Sequence, residues 1–192
     1  SKHIMRDFFE VIDDVTTSDS KTILFDNEEV ITMANVNRGN GYIYGSTLDF
    51  RKTFTKNLYL KGNVSYTFGK NTKLNQFIPS ISPVFGRLTL NLSHDNSESE
   101  ISYKFSGSKS PHKYSLGGED GLEETPVAHD LKYGFHGMPS WGVLKISSSY
   151  IFSENLKTTL ILDNLFDIHY REFASGISAP GRNLNIVLSY RF

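Results

Sequence analysis

The 192-residue chain has no cysteine, which excludes a disulfide framework, thiol catalysis and zinc held by cysteine. It has almost no net charge either, because 20 lysines and arginines balance 21 acidic residues to −1. That balance argues against a nucleic-acid partner held by bulk positive charge. Long apolar runs are also missing: none exceeds three residues, whereas a membrane-spanning helix needs about 20. A transmembrane β-barrel stays possible, because its strands carry apolar side chains only at alternate positions.

Aromatic residues are abundant, at 13% of the chain, and they belong to a pattern of period two. Near the C-terminus, for example, Leu184, Ile186 and Leu188 share one face, and the other carries Asn185, Val187 and Ser189. Such alternation predicts antiparallel strands with one apolar and one polar face, and no segment predicts a helix. Seven segments show the pattern, with a weaker eighth at 3–12: 42–51, 58–68, 84–92, 101–106, 142–152, 156–163 and 184–192.

The connections between these segments alternate in length. Short turns at one end of a sheet and long loops at the other are typical of outer-membrane barrels, as are aromatic residues at strand ends. A soluble β-sandwich with aromatic core residues is the alternative interpretation. The predicted turns are 52–57, 94–99 and 153–155, and the predicted long connections are 13–40, 69–83, 107–141 and 167–181.

A motif near the C-terminus resembles a known family. Residues 160–192 read LILDNLFDIHYREFASGISAPGRNLNIVLSYRF. The run from Asn164 to Asp167, then Tyr170, the turn at 180–182 and Phe192 resemble the C-terminal end of TonB-dependent outer-membrane receptors. Weaker similarities to the same family lie at 37–50, 78–93 and 137–141.

The resemblance implies an all-β fold, an antiparallel transmembrane β-barrel in which a wall of about 22 strands surrounds an N-terminal plug. Residues 1–192 would then be the C-terminal portion of the barrel, about eight strands, with the plug and the earlier strands absent from this chain. The implied function is TonB-energised uptake of a bulky solute, such as a metal chelate, haem, cobalamin or a glycan. The implied location is the outer membrane of a Gram-negative cell, as a multi-pass β-barrel.

The partners implied by the resemblance are outer-membrane lipid, the remainder of the same receptor, the barrel-assembly machinery and a surface lipoprotein. TonB would contact the absent N-terminal part, where the TonB box lies. No cofactor and no nucleic-acid partner are expected. Two alternatives remain: an outer-membrane barrel of a secretion or assembly complex, and a soluble carbohydrate-binding β-sandwich.

The polar faces of the predicted strands carry an excess of positive charge. Asp49 and Asp163 are the acidic residues on these faces, against seven basic ones: Arg51, Lys61, Arg87, Lys104, Lys145, Lys157 and Arg191. A narrow closed barrel would need such charges to be paired, so the excess favours one wall of a wide, water-filled barrel. The basic residues would either guide an anionic solute or contact acidic groups of the plug.

No catalytic constellation is present, and the chain is not expected to be an enzyme. Residues of the long loops are the candidates for solute binding, because aromatic rings offer large contact areas and imidazoles offer polar ones. These candidates are His112, Tyr114, His136, Trp141 and Tyr170. No metal site is expected, since the loop histidines lack the close spacing of a dedicated site.

The C-terminal motif contains residues of two further kinds. Asn164, Asp167, Gly181 and Arg182 are predicted to be structural, because Asn, Asp and Gly favour turns at strand exits. The resemblance implies that Tyr190 and Phe192, at the end of the last strand, form a signal for barrel assembly.

Overall fold

The computed structural model describes residues 3–11, 22–25, 28–31, 33–72, 75–115 and 120–192, with side chains from residue 40 onward. β1 (His3–Val11) precedes a hairpin made of β2 (Thr22–Phe25) and β3 (Glu28–Ile31). Seven strands follow: β4 (Met33–Thr53), β5 (Leu58–Asn71), β6 (Phe85–His94), β7 (Ser97–Ser106), β8 (Trp141–Ser153), β9 (Leu156–Asp163) and β10 (Asn183–Tyr190).

β1 and β4 to β10 form one sheet of eight strands, in the order β1-β4-β5-β6-β7-β8-β9-β10. Every neighbouring pair is antiparallel. The predicted all-β class is therefore confirmed, including the weak eighth strand at the N-terminal side. In the described residues the helical segments are two single 3₁₀ turns, Pro111–Lys113 and Leu122–Glu124. Neither of these two segments is long and apolar enough to cross a membrane as a helix.

The long connection predicted over 13–40 is wrong in its second half. β2 and β3 lie within it, and β4 begins at Met33 rather than at residue 42. The early part of β4 pairs with β1, with Val11 opposite Met33 and Ile4 opposite Asn40. Backbone pairing with a distant segment extends a strand where its own alternation is weak, because strand formation depends on context more than on propensity.

From residue 40 onward, the register of β4 to β10 places most of the apolar residues on one face of the sheet, which we call the outer face. Directly paired residues of antiparallel strands point to the same side. A continuous row of paired apolar residues therefore crosses six strands on this face: Leu60, Leu90, Ile101, Ile146, Leu162 and Leu184. None of the six is buried: four are partly exposed, and Ile101 and Leu184 are 44% and 63% exposed. A β-sandwich would bury such a face against a second sheet.

Aromatic side chains bound the outer face at both ends of the strands. Near the loop end, Tyr44 stacks on Phe68 with ring centroids 5.1 Å apart. Near the turn end, Tyr150 contacts Phe152 edge-on at 4.8 Å. The apolar row therefore lies between two aromatic groups, the arrangement that transmembrane barrels present to the two membrane interfaces.

The predicted alternation of turns and loops is confirmed for the described strands. Residues 54–57, 95–96 and 154–155 form short turns at one end of the sheet. Three long loops leave the other end, namely the first loop (72–84), the second loop (107–140) and the third loop (164–182).

The polar, or inner, face carries more acidic residues than the two that the sequence predicted. β7 begins at Ser97 rather than at 101, so Glu98 and Glu100 also lie on this face, paired with Ser93 and Asn91 of β6. Four inner lysines therefore contact carboxylates: Lys61 with Glu100 (3.9 Å), Lys145 with Asp163 (3.7 Å), Lys157 with Glu98 (3.7 Å), and Lys104 with Glu172 of the third loop. No carboxylate of the described residues forms such an ion pair with Arg51 or Arg87.

Candidate functional site

A cleft of about 510 Å³ opens between the second and third loops. Its volume lies within the range of about 300–1,000 Å³ that is usual for ligand sites. Trp141 is the first residue of β8 and pairs with Ser106, which shares the inner face with Lys104. The cleft therefore lies where the loop end of the sheet meets the inner face.

Aromatic and apolar side chains form the floor of the cleft. Trp141 is buried beside Met138 and Val143, and the rings of Trp141 and Tyr170 lie 4.3 Å apart. Tyr114, which is also buried, lies 6.4 Å from the ring of Phe173. Three of the five predicted binding residues, Tyr114, Trp141 and Tyr170, thus line one cleft.

The two predicted histidines lie outside this cleft. His112 is exposed, and its ring lies 6.3 Å from Phe77 of the first loop. His136 is also exposed, and its backbone N–H donates to the carbonyl of Pro126 at 2.8 Å. His169 does line the cleft, with Nε2 3.0 Å from the Ser178 hydroxyl. In the part of the chain that the structure describes, no three metal-ligating side chains come together.

The rim of the cleft carries charged residues that the sequence pattern did not indicate. Arg171 donates to the Glu124 carboxylate at 3.2 Å and to the Glu124 carbonyl at 2.9 Å. Glu172 accepts a hydrogen bond from Lys104 of β7. The partners are 47 and 68 residues apart, so no local spacing marks them. Each pair is partly exposed, and such pairs contribute about 0–1 kcal/mol.

A buried ion pair lies at the wall of the cleft. The Lys109 Nζ lies 2.7 Å from the Asp120 carboxylate, and the two side chains are only 6% and 1% exposed. Lys109 also donates to the carbonyl of Ile81 at 2.8 Å, and Asp120 accepts from the N–H of Ser80 at 2.6 Å. Nζ lies 4.2 Å from the ring centroid of Phe173. In the sequence, Lys109 and Asp120 look like ordinary solvated loop residues, so pattern reasoning missed them.

Burial shifts two ionisable groups around this pair. It lowers the pKa of the Lys109 ammonium below its ordinary value, and the hydrogen bond and charge of Asp120 oppose that shift only in part. Burial likewise raises the pKa of Tyr114, although the Tyr114 oxygen accepts a hydrogen bond from the N–H of Met138 at 3.1 Å. The tyrosine therefore keeps its proton at neutral pH.

The predicted structural residues meet where β9 ends and β10 begins. Asn164 is buried with φ +50°, and its side chain bonds the backbone of Ile168 in both directions, at 2.9 and 2.8 Å. The same amide donates to the carbonyl of Pro180 at 3.2 Å. The Asp167 carboxylate accepts from the N–H of Arg182 at 2.7 Å. These contacts support a structural role.

Gly181 fits against the same carboxylate, because a Cβ on Gly181 would lie 2.7 Å from the Asp167 oxygen. At the other end of β10, Tyr190 and Phe192 have ring centroids 5.1 Å apart and are both exposed. Their role as an assembly signal stays a prediction.

No family model matches the chain, and no curated protein matches it in sequence. Solved structures do match it. The sheet has the fold of a segment of their barrel walls. The copper transporter OprC is 20% identical with a TM-score of 0.66, and the match covers 84% of this chain and 24% of OprC. A variant of the ferric enterobactin receptor PfeA from Pseudomonas aeruginosa is 17% identical with a TM-score of 0.68, covering 100% and 27%.

A third match is the iron transporter FrpB from Neisseria meningitidis, at 14% identity and a TM-score of 0.60, covering 83% of this chain and 25% of FrpB. The chain thus spans about a quarter of the length of these structures. They are TonB-dependent receptors, so the predicted resemblance is confirmed at the level of the fold. These matched proteins are transport receptors rather than enzymes.

Proposed function

We propose that residues 1–192 are the C-terminal portion of the barrel of a TonB-dependent outer-membrane receptor, and that the whole receptor takes up a bulky solute. The fold match to solved receptors supports this proposal, as does the C-terminal motif from Asn164 to Phe192. The remaining strands and a plug would belong to the rest of the protein. TonB would act through that part.

The uncovered outer face is the observation that carries the proposal. A six-strand row of apolar side chains between two aromatic groups would be a large exposed patch in water, and soluble monomers rarely carry such patches. Lipid covers a face of this kind in an outer-membrane barrel. The same observation counts against the alternative of a soluble carbohydrate-binding β-sandwich.

The solute would first meet the cleft between the second and third loops. Tyr114, Trp141 and Tyr170 would supply contact area, and the rim pairs would supply polar contacts. Because the matched structures are named for copper, iron and ferric enterobactin, a metal complex is the first candidate, ahead of haem, cobalamin or a glycan. Arg51 and Arg87 would contact the plug or an anionic solute on its path.

The location is tested by tagging the intact protein that carries this chain. One epitope is inserted after Asp130, an exposed residue of the second loop, and a matched one after Glu154, in the turn between β8 and β9. On intact cells an antibody should stain only the Asp130 tag, and permeabilising the outer membrane should reveal the Glu154 tag. Surface staining of the Glu154 tag, or recovery of the protein without detergent, would refute the proposed barrel.

Uptake is tested with radioactive ferric enterobactin and with copper, in cells that have or lack the intact protein. Accumulation that depends on the protein and disappears with an uncoupler supports energised transport of a metal complex. A correctly oriented protein that accumulates neither probe would refute the metal-complex assignment. It would then favour the alternative of a secretion or assembly barrel, or one of the other solute classes.

A further inference from the structure

The buried Lys109–Asp120 pair lies where the three long loops meet. Both residues belong to the second loop, whereas Ser80 and Ile81 belong to the first and Phe173 belongs to the third. The ammonium donates to the carbonyl of Ile81 at 2.8 Å and the carboxylate accepts from Ser80 at 2.6 Å. The ring of Phe173 completes the contact at 4.2 Å from Nζ. One ion pair therefore contacts all three loops.

The same pair is joined to the floor of the cleft. The backbone of Lys109 exchanges two hydrogen bonds with Met138, at 2.9 and 3.0 Å. Met138 packs in one buried cluster with Trp141, so a shift of Met138 would disturb that packing. Asp120 and Tyr114 line the cleft directly. A displacement of Lys109 would therefore reach both walls of the cleft.

The hydrogen bonds of the ion pair are directional, so they define how the loops are placed relative to one another, which an apolar contact here would not do. Removing one partner of a buried ion pair leaves an uncompensated charge and is strongly destabilising. Here each member of the pair also bonds one specific backbone atom of the first loop: Lys109 donates to the carbonyl of Ile81, and Asp120 accepts from the N–H of Ser80. The relative position of the loops is thereby defined.

We propose that Lys109 and Asp120 are positioning residues that clamp the three long loops into one unit and hold the cleft in its open, preformed shape before a solute arrives. The clamp rests on the loop contacts and does not depend on energised uptake. Because of the clamp, the three loops open as one unit, and their backbone amides exchange hydrogen with solvent together.

Hydrogen–deuterium exchange on the detergent-solubilised intact protein tests the clamp without any solute. The Asp120→Asn variant leaves a buried lysine without its carboxylate. The Lys109→Met/Asp120→Asn double variant carries no buried charge and keeps an oxygen for the N–H of Ser80. Both variants should exchange faster in all three loops, the single variant by about a hundredfold, with unchanged exchange in the strands. Lys132→Met, an exposed lysine of the second loop, is the matched control and should change nothing.

Faster exchange confined to the second loop would overturn the clamp, because the loops would then be independent. Wild-type exchange in the double variant would overturn its ionic basis and leave packing as the cause. The strand amides report whether the variant has folded, so that general unfolding is distinguished from release of the loops. A failed uptake assay would leave this result unaffected.

Discussion

Replacing Asn164 by alanine tests whether the C-terminal motif is structural. The side chain makes three hydrogen bonds, two with the backbone of Ile168 and a longer one with Pro180. At about 1 kcal/mol each, their loss costs about 3 kcal/mol. Alanine also tolerates the φ of +50° poorly, at about 1 kcal/mol. We therefore expect the free energy of unfolding to fall by about 4 kcal/mol.

Two matched variants separate these contributions. Asn164→Gly loses the same hydrogen bonds but adopts positive φ freely, so it should be less destabilised than the alanine variant by about 1 kcal/mol. Asn96→Ala, in the exposed turn between β6 and β7, should change stability by less than about 0.5 kcal/mol.

The assay is urea unfolding of the intact protein in detergent micelles, followed by its tryptophan fluorescence and checked by its heat-dependent mobility on a gel. Solute binding is measured in parallel on the folded fraction. A loss of less than about 1 kcal/mol for Asn164→Ala would refute the hydrogen-bond reasoning. Unchanged stability with lost solute binding would instead assign Asn164 to the binding site.

Two further perturbations test the outer face and the buried tyrosine. Leu160→Arg places a charge on the outer face and should lower the free energy of unfolding by about 2–4 kcal/mol when the protein is unfolded from lipid bilayers. Thr159→Arg, its neighbour on the inner face, should be nearly neutral in the same bilayer assay. Equal effects of the two variants would contradict the assignment of faces. Burial raises the pKa of the Tyr114 hydroxyl in the folded protein. As pH rises past about 10, this hydroxyl therefore loses its proton in the unfolded chain before it does so in the folded protein, and the free energy of unfolding should fall. Tyr114→Phe should remove that slope between about pH 9 and pH 11, and an unchanged slope would show that other groups cause it.

Apart from the first residues of β7, the strands from β5 to β10 follow closely from the sequence. Alternation of period two is a local property of each segment. One register, with Leu60 to Leu184 in a single row, places the apolar face of all six strands on the same side of the sheet. The short turns and the three loops follow from the gaps between these segments. The grouping of Tyr114, Trp141 and Tyr170 was partly predictable, because all three lie in loops or at a strand end on the same side of the sheet.

Two features of the sheet were missed for a shared reason. The start of β4 at Met33 and the start of β7 at Ser97 lie in segments of poor alternation. These segments are strands because a neighbour pairs with their backbone. As a result the sequence did not predict that Glu98 and Glu100 lie on the inner face, where they contact Lys157 and Lys61.

The sequence by itself determined the fold class, the two faces of the sheet and the end from which the long loops leave, because each of these is encoded in local spacing. Tertiary structure decided which loop residues meet. Lys109 and Asp120 become a buried pair only when the first and third loops cover them, and Arg171 reaches Glu124 across 47 residues. Such contacts depend on how separate loops pack together, and no period within one segment records that.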